Sequence, residues 1–373
     1  MKPVVLAVSL SALLAFHTSS HAQSPNATDY FQDAAELLKS DSIDSTPKDL
    51  NVKREAIKKN DAALRRFRQG LAYEYSHTTT AFDQADFAYA AKMRALARLL
   101  VAEGEVHLAD GQTSDAVNSF VDAVRLGQEI PRGEPLLGAL VGFAIEAIGR
   151  HHMWEVVSKL DAPTAQRASW RLQLLNARRH PYTETLRAEQ QFSLGRLEET
   201  TRKASPEERA KLLADYKTMM EQEIANAATP YVYKAVDAAS EKLLDNMDGA
   251  DPTASVAKIT QAALHGTHFQ DAKTRVLSNL LATTLALHAW KLEKGVYPEK
   301  LAELAPRYLE TMPRDSFGDG TPLRYKKTED SYVLYAVGPD GRDDSGRAIA
   351  VDANLTSVQP ASDGDIVAGV NLR

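Results

Sequence analysis

Helical periodicity that persists over most of its length is what constrains this chain most. From about Val52 to about Gln270, apolar residues recur at three- and four-residue spacing, and no alternating strand pattern breaks the run. Prolines within it occur only at Pro131, Pro135, Pro163, Pro181, Pro206, Pro230 and Pro252, where each ends one helical pattern or opens the next. That punctuation predicts seven or eight helices and an all-α region. Ser205-Pro206-Glu207-Glu208 reads as a helix start, with a capping hydroxyl, proline in the first turn and acids facing the N-terminal dipole. The charged stretch around it, from Glu189 to Glu223, reads as a solvated face.

Two segments of this region carry more detail. Leu136 to Gly149 is the most apolar stretch beyond the N-terminus. At 14 residues, and with Glu146 inside it, it falls short of the roughly 20 apolar residues of a membrane span. It predicts a central core helix, with Gly138, Gly142 and Gly149 allowing close packing. Leu100, Gly104, Gly111, Ala116, Phe120 and Ala123 then follow a second grammar, in which small residues let two helices approach and Phe120 fills the groove. Residues 97–130 thereby resemble a single tetratricopeptide repeat, with His107 where the pattern has Tyr. One repeat cannot bury its own face, so neighbouring helices must supply the rest, as a solenoid-like stack of hairpins or an irregular bundle.

The N-terminus combines Lys2, an apolar run of 13 residues from Val4 to Phe16, and Ser20-His21-Ala22 before Gln23. This is the pattern of a secretory signal peptide cleaved after Ala22, with an uncleaved anchor as the alternative. Residues 23–50 read as a loosely ordered lead-in containing one short helix from Tyr30. The 373 residues include no cysteine, so neither a lipidated cysteine nor a disulfide contributes, and stability must come from core burial. The formal charge of −6, or −7 without Lys2, argues against nucleic acid as a partner.

The C-terminal part, residues 266–373, changes character. A helix over Ala272 to Lys294 carries a stripe of Leu277, Leu281, Leu285, His288 and Leu292, and ends at Gly295 and Pro298. A short helix over Glu299 to Leu304 follows. Pro322 to Lys327 and Ser331 to Val337 predict two antiparallel strands. Tyr297-Pro298, Pro313-x-Asp315-x-Phe317-Gly318 and Val337-Gly-Pro-Asp-Gly341 occur in the order found in type II secretion major pseudopilins, whose globular module this segment resembles. Phe317 stands where that family has Trp, and Ser316 where it has a second Pro. The helix lies deep in the chain without a prepilin leader, which implies a head module fused to a helical body.

The resemblance implies one calcium ion in the loop after the second strand, held by the Val337 carbonyl, the Asp340 carboxylate and a second carboxylate before Ile366. Asp363 and Asp365 both meet that last description. Independently, an Asp/Gly loop with Asp343, Asp344 and Asp352 nearby suits the oxygen-rich coordination of calcium, while a plain acidic loop is the other reading.

Signals for catalysis are sparse. Ser255-x-x-Lys258 lacks the partner motifs of serine acyl enzymes and fits an ordinary helix start. His151-His152, His265-x-x-His268 and His288 lack the spacing of a zinc site, and His288 in an apolar stripe reads as a core histidine. No catalytic residue is assigned.

The expected organisation is therefore a signal peptide at 1–22, the lead-in at 23–50, an all-α domain at 51–265 and a small α+β module with a short antiparallel sheet at 266–373. The expected function is that of an exported, non-enzymatic scaffold for envelope or secreted proteins, in the periplasm or beyond it. The chain has no stable membrane span after cleavage, and calcium is its one candidate cofactor. A cell-envelope hydrolase and a carrier of a hydrophobic ligand are the alternatives.

Overall fold

In the computed structural model, residues 26–39, 49–77, 84–231, 252–350 and 358–371 are described. The signal-peptide segment, the whole 40–48 stretch, Asp352 and the side chains of Ser255 and Lys258 lie outside them. Among the described residues the chain is mostly helical, with ten α-helices and one small antiparallel sheet. The helices are α1 (Ala27–Leu37), α2 (Leu50–Lys59), α3 (Asp61–Gly70), α4 (Gln84–Ala109), α5 (Thr113–Glu129), α6 (Leu136–Val156), α7 (Ala162–Ala177), α8 (Tyr182–Thr200), α9 (Pro206–Ala227) and α10 (Pro252–Lys294). None is long and apolar enough to cross a membrane.

The expected lead-in is not loose throughout. Phe31, Ala34 and Ala35 give α1 an apolar stripe that is buried, with the Phe31 ring 5.0 Å from Phe67 of α3 and 5.3 Å from Tyr75. Farther on, α4 and α5 form a hairpin through Gly111, which holds a φ of +76°. Phe120 on α5 is fully buried against α4, so close that a Cβ on Gly104 would lie 2.3 Å from its ring. The next crossing is tighter still. Gly127 of α5 meets the backbone of Gly142 and Glu146 on α6, and Gly149 meets the Phe120 carbonyl. Small residues turn this crossing into backbone-on-backbone contact, which is why the apolar segment packs as a core helix.

Helix α9 begins as its sequence predicts, with Ser205 and Glu208 closing a reciprocal capping box around Pro206. It pairs with α8 around a small satellite cluster of Tyr182, Leu186, Met220 and Leu264. Most other large buried residues, from Phe31 to Ile366, belong to one continuous core.

Helix α10 joins the two halves of that core. It has 43 residues, about 65 Å of helix at 1.5 Å per residue. Its Val276, Leu277, Leu280, Leu281, Leu285 and Leu287 are buried, and it packs against α6, α7 and the sheet. The boundary expected at 265/266 falls inside this helix. Gly295 ends it at φ +78°, with its amide donating to the Lys291 carbonyl. A short 3-10 turn at Leu301–Leu304 replaces the expected short helix.

The sheet has the order β1 (Arg324–Lys327), β2 (Tyr332–Ala336) and β3 (Ile366–Val367), all antiparallel. Arg324 pairs with Tyr335, Lys327 with Tyr332, and Ala336 with Ile366. The Pro313-to-Gly318 turn fastens this sheet to the helices. The buried carboxylate of Asp315 accepts from the amides of Phe317 (2.9 Å) and Val337 (2.8 Å) and from Arg324 Nη1 (2.9 Å). Phe317 then inserts between the rings of Tyr231 and Phe269, with centroids at 5.7 and 6.0 Å.

Candidate functional site

The loop after β2 lies against the segment before β3, because Gly338 and Gly364 allow their backbones to touch. A Cβ on Gly338 would sit 1.9 Å from the Gly364 carbonyl oxygen. This apposition brings oxygens of Asp340, Asp344 and Asp363 within 4.8 Å of one another, the one such acidic or histidine group among the described residues. Two of the three belong to the set expected from sequence, and Asp344 completes it. Asp365 faces elsewhere. It is fully buried, and its oxygens accept the amides of Gly346 at 2.7 Å and Asp344 at 3.3 Å, which shapes the 344–346 turn. Val337 is also buried, and its amide is taken by Asp315.

The electrostatics of the cluster suit a cation. Burial raises the Asp340 carboxyl above its ordinary value, and Asp363 and Asp344 raise it further, against a hydrogen bond from the Arg342 amide. Asp344 Oδ2 is sealed from solvent without a donor. The Arg347 guanidinium stands beside the group, 3.0 Å from Asp344 and 3.4 Å from Asp363. Three carboxylates can supply up to six oxygens, the lower end of calcium coordination. The donor set fits that ion, and Arg347 is the built-in cation it would displace.

A second polar constellation lies in the helical body, and sequence reasoning missed it. Glu146, fully buried on α6, receives both terminal nitrogens of Arg179 at 2.7 and 2.5 Å. It also accepts from Ser278 Oγ of α10 and from Gln128 Nε2 at 3.2 Å, with Arg150 at 3.7 Å. Burial drives its carboxyl upward, but Arg179, Arg150 and the Ser278 hydroxyl together outweigh this and hold it below its ordinary value. Burial also lowers Arg150 to about 10 and, with Arg150 as neighbour, Lys273 to about 8. The one available signal was Glu146 itself, a charge inside an apolar run, which requires a buried partner.

From Gln128 a line of amides continues outward. Gln128 Nε2 donates to Asn176 Oδ1 (3.1 Å), Asn176 Nδ2 to Asn279 Oδ1 (3.0 Å), and Asn279 Nδ2 to the Arg314 carbonyl (3.0 Å). A carboxylate at one end and a carbonyl at the other accept only, which fixes every amide orientation along the line.

Two open clefts flank α7. One, of about 660 Å³, lies between α7, α10 and the 311–322 loop, with Arg179, Arg275 and Arg314 on its wall and no carboxylate. The other, of about 830 Å³, lies between α5, the opposite face of α7 and residues 71–75, and is lined by Tyr73, Tyr75, Arg125, Arg132 and Arg178 among others. Among the described residues, the first has no carboxylate or histidine on its wall, and the second, which holds Glu74 and Glu129, has no serine, threonine, cysteine, lysine or histidine beside them.

The histidines singled out from sequence are engaged structurally. His288 Nε2 lies 2.9 Å from the Leu160 carbonyl, as suits a core histidine. His152 Nδ1 lies 3.0 Å from the Ile148 carbonyl, and the His151 ring meets that of His152 edge-on. His265 faces Glu223 at 3.4 Å, while His268 stacks on Tyr182, and burial lowers its pKa. Comparison with family models, with curated proteins and with solved structures gave no match to this chain.

Proposed function

We propose that the chain is an exported, non-enzymatic binding platform, in which a helical body presents its clefts to partner proteins and a pseudopilin-like C-terminal module is stabilised by calcium. One observation carries the reading: both clefts are walled by three arginines each, with Met312 in the first and Tyr73 and Tyr75 in the second, residue types that are enriched at recognition surfaces. Of the acids on the cleft walls, Glu129 is engaged by Arg125 and Arg132, while Glu74 stands exposed. Export rests on the N-terminal sequence pattern.

Site-specific photocrosslinking in the native host envelope tests the platform. A photoreactive residue at exposed Ala72 or Ala177, one in each cleft wall, is expected to trap a discrete partner that the same probe at exposed Leu140 does not. An identical product pattern from all three positions would remove the clefts from the reading.

Calcium is tested separately by thermal unfolding. At a hundredfold excess over its dissociation constant, calcium should add about 2.7 kcal/mol, and EGTA should reverse the gain. Asp340→Asn and Asp363→Asn should abolish the response, while Arg347→Gln, by removing the competing guanidinium, should enlarge it. Because Asp340 is held above its ordinary value, protons should compete with calcium at a higher pH than for a free aspartate. A wild-type midpoint indifferent to calcium and EGTA would leave the acidic loop as a turn and nothing more.

A further inference from the structure

The hydrogen-bond sense of the amide line leaves the 660 Å³ cleft rich in donors. Asn176 and Asn279, both half-buried on its wall, have their oxygens occupied by Gln128 and Asn176 in turn. Each spends one amide hydrogen, Asn176 on Asn279 and Asn279 on the Arg314 carbonyl. Among the described residues the second hydrogen of each finds no acceptor. Gln173 beside them is saturated: its Nε2 donates to Ser169 Oγ and the Tyr308 carbonyl, and its Oε1 accepts the Glu310 amide. The bond from Asn279 to Arg314 is exposed to solvent, so this donor edge opens into the cleft.

The arginines of the wall add to that excess. Arg314 Nη1 donates to the Gly320 carbonyl at 2.6 Å, and its guanidinium meets no acid among the described residues. Arg275 gives Nε to Asp271 (2.6 Å) and Nη2 to the His180 carbonyl (3.0 Å), which leaves its Nη1. Arg179 is held by Glu146, but that carboxylate also faces Arg150. Counting Arg150, four guanidiniums meet two carboxylates, an excess of two positive charges in a chain whose formal charge is −6. Glu310 and Asp319, on the same loop, are exposed and lie outside the lining. Met312, Pro313 and Pro322 add apolar surface to the same cleft.

We propose that this cleft binds a small phosphate monoester. At neutral pH such a group carries close to two negative charges on three strong acceptor oxygens. It therefore matches both the charge of the wall and its hydrogen-bond sense. Guanidinium forks suit phosphate oxygens, and the spare amide hydrogens of Asn176 and Asn279 supply neutral donors beside them. A carboxylate, with two oxygens and one charge, would leave half of the charge excess unmet. The organic part of the ester rests on Met312 and the two prolines. The volume lies within the usual range of small-ligand sites.

This goes beyond the platform reading and does not rest on it. Its test uses purified protein and small molecules, so its failure leaves the envelope crosslinking result standing. Phenyl phosphate is titrated calorimetrically into the full chain, in calcium-free buffer at physiological ionic strength, and saturable binding is expected. Inorganic phosphate, which lacks the organic part, should bind about tenfold more weakly, and phenol should not bind. Arg314→Gln should weaken phenyl phosphate about tenfold or more, whereas Arg178→Gln, in the other cleft, should leave it unchanged. Both arginines are exposed, so these variants keep their fold. Ala177→Glu sets a carboxylate at an exposed position of the same wall and should weaken binding too, which keeps the test decisive if Arg314→Gln lowers the thermal midpoint. Three results overturn the proposal: no saturable binding, equal affinity of the Arg314→Gln and Arg178→Gln variants, or inorganic phosphate binding as tightly as the ester. The last would reduce the site to one for free phosphate.

Discussion

Replacing Glu146 by alanine is expected to destabilise the fold by about 3–5 kcal/mol, measured by urea unfolding. The size follows from what is left behind. Arg179 and Arg150 are 5% and 4% exposed at their side chains, and both face this one carboxylate. Removing it strands two guanidiniums in a low-dielectric core, where an uncompensated charge costs far more than a lost hydrogen bond. Ser278 and Gln128 lose an acceptor as well. The double replacement Glu146→Leu, Arg179→Leu should recover part of the loss, because a buried pair often contributes little over well-packed apolar side chains. Equal stability of wild type and Glu146→Ala would mean that the guanidiniums are hydrated.

The same carboxylate gives a signed pH effect. Its folded pKa lies below the ordinary 4.5, so its stabilisation is full above that value and is lost as the pH falls through the folded pKa. Asp122, Asp315 and Asp365 run the other way, since burial raises them and their ionisation as pH rises opposes folding. The difference in stability between wild type and the Glu146 variant therefore isolates the first effect. It should shrink on acidification.

Glycine-to-alanine replacements are expected to split by sign. At Gly127 the new Cβ would lie 2.4 Å from the Glu146 amide nitrogen and 2.6 Å from the Gly142 carbonyl oxygen. At Gly149 it would lie 2.7 Å from the Phe120 carbonyl oxygen. These neighbours are backbone and cannot swing aside, so the helices must separate. Such overpacking costs about 1–3 kcal/mol or more, which outweighs the roughly 1 kcal/mol that alanine gains over glycine in a helix. Gly195 in α8 and Gly266 in α10 have nothing within 4 Å of the same position. There alanine should stabilise by about 0.5–1 kcal/mol. Chemical denaturation of the four single variants decides this, and a common sign across them would refute the close α5–α6 contact.

The contrast between these sites also measures how far the sequence could be read. Gly138, Gly142 and Gly149 announced close packing, and the capping box at Ser205 announced a helix start, because both signals are local. Gly127, the residue that Gly142 meets, carried no mark of its own. The first half of α10 was missed as part of one long helix for a physical reason. Leu264 packs into the satellite cluster, while Gln261, Thr267 and Asp271 are buried polar residues, so its apolar stripe is broken. Strand β3 has two residues, too few for alternation to register.

The sites divide the same way. Asp340 and Asp363 were legible as an acidic loop with two candidate partners, but the choice among neighbouring aspartates depends on turn geometry. Asp365 points at two amides and Asp344 toward the cluster, a difference no composition reveals. The Glu146 network joins residues 18, 33 and 132 positions from the glutamate. Only the finished fold assembles it. The clefts likewise arise from opposite faces of α7 and have no counterpart in any contiguous motif.

Helix α10 has a mechanical consequence. A tug on the C-terminal sheet would reach α6 and α7 through the C-terminal half of α10, at Ser278, Asn279 and Ala282, and travel on along the rest of its roughly 65 Å of continuously hydrogen-bonded backbone toward α9. A flexible tether would stretch and absorb that displacement, whereas α10 acts as a spar and passes it on as tilt. Severing the spar near residue 265 would leave two apolar stumps where the intact chain has one stiff member.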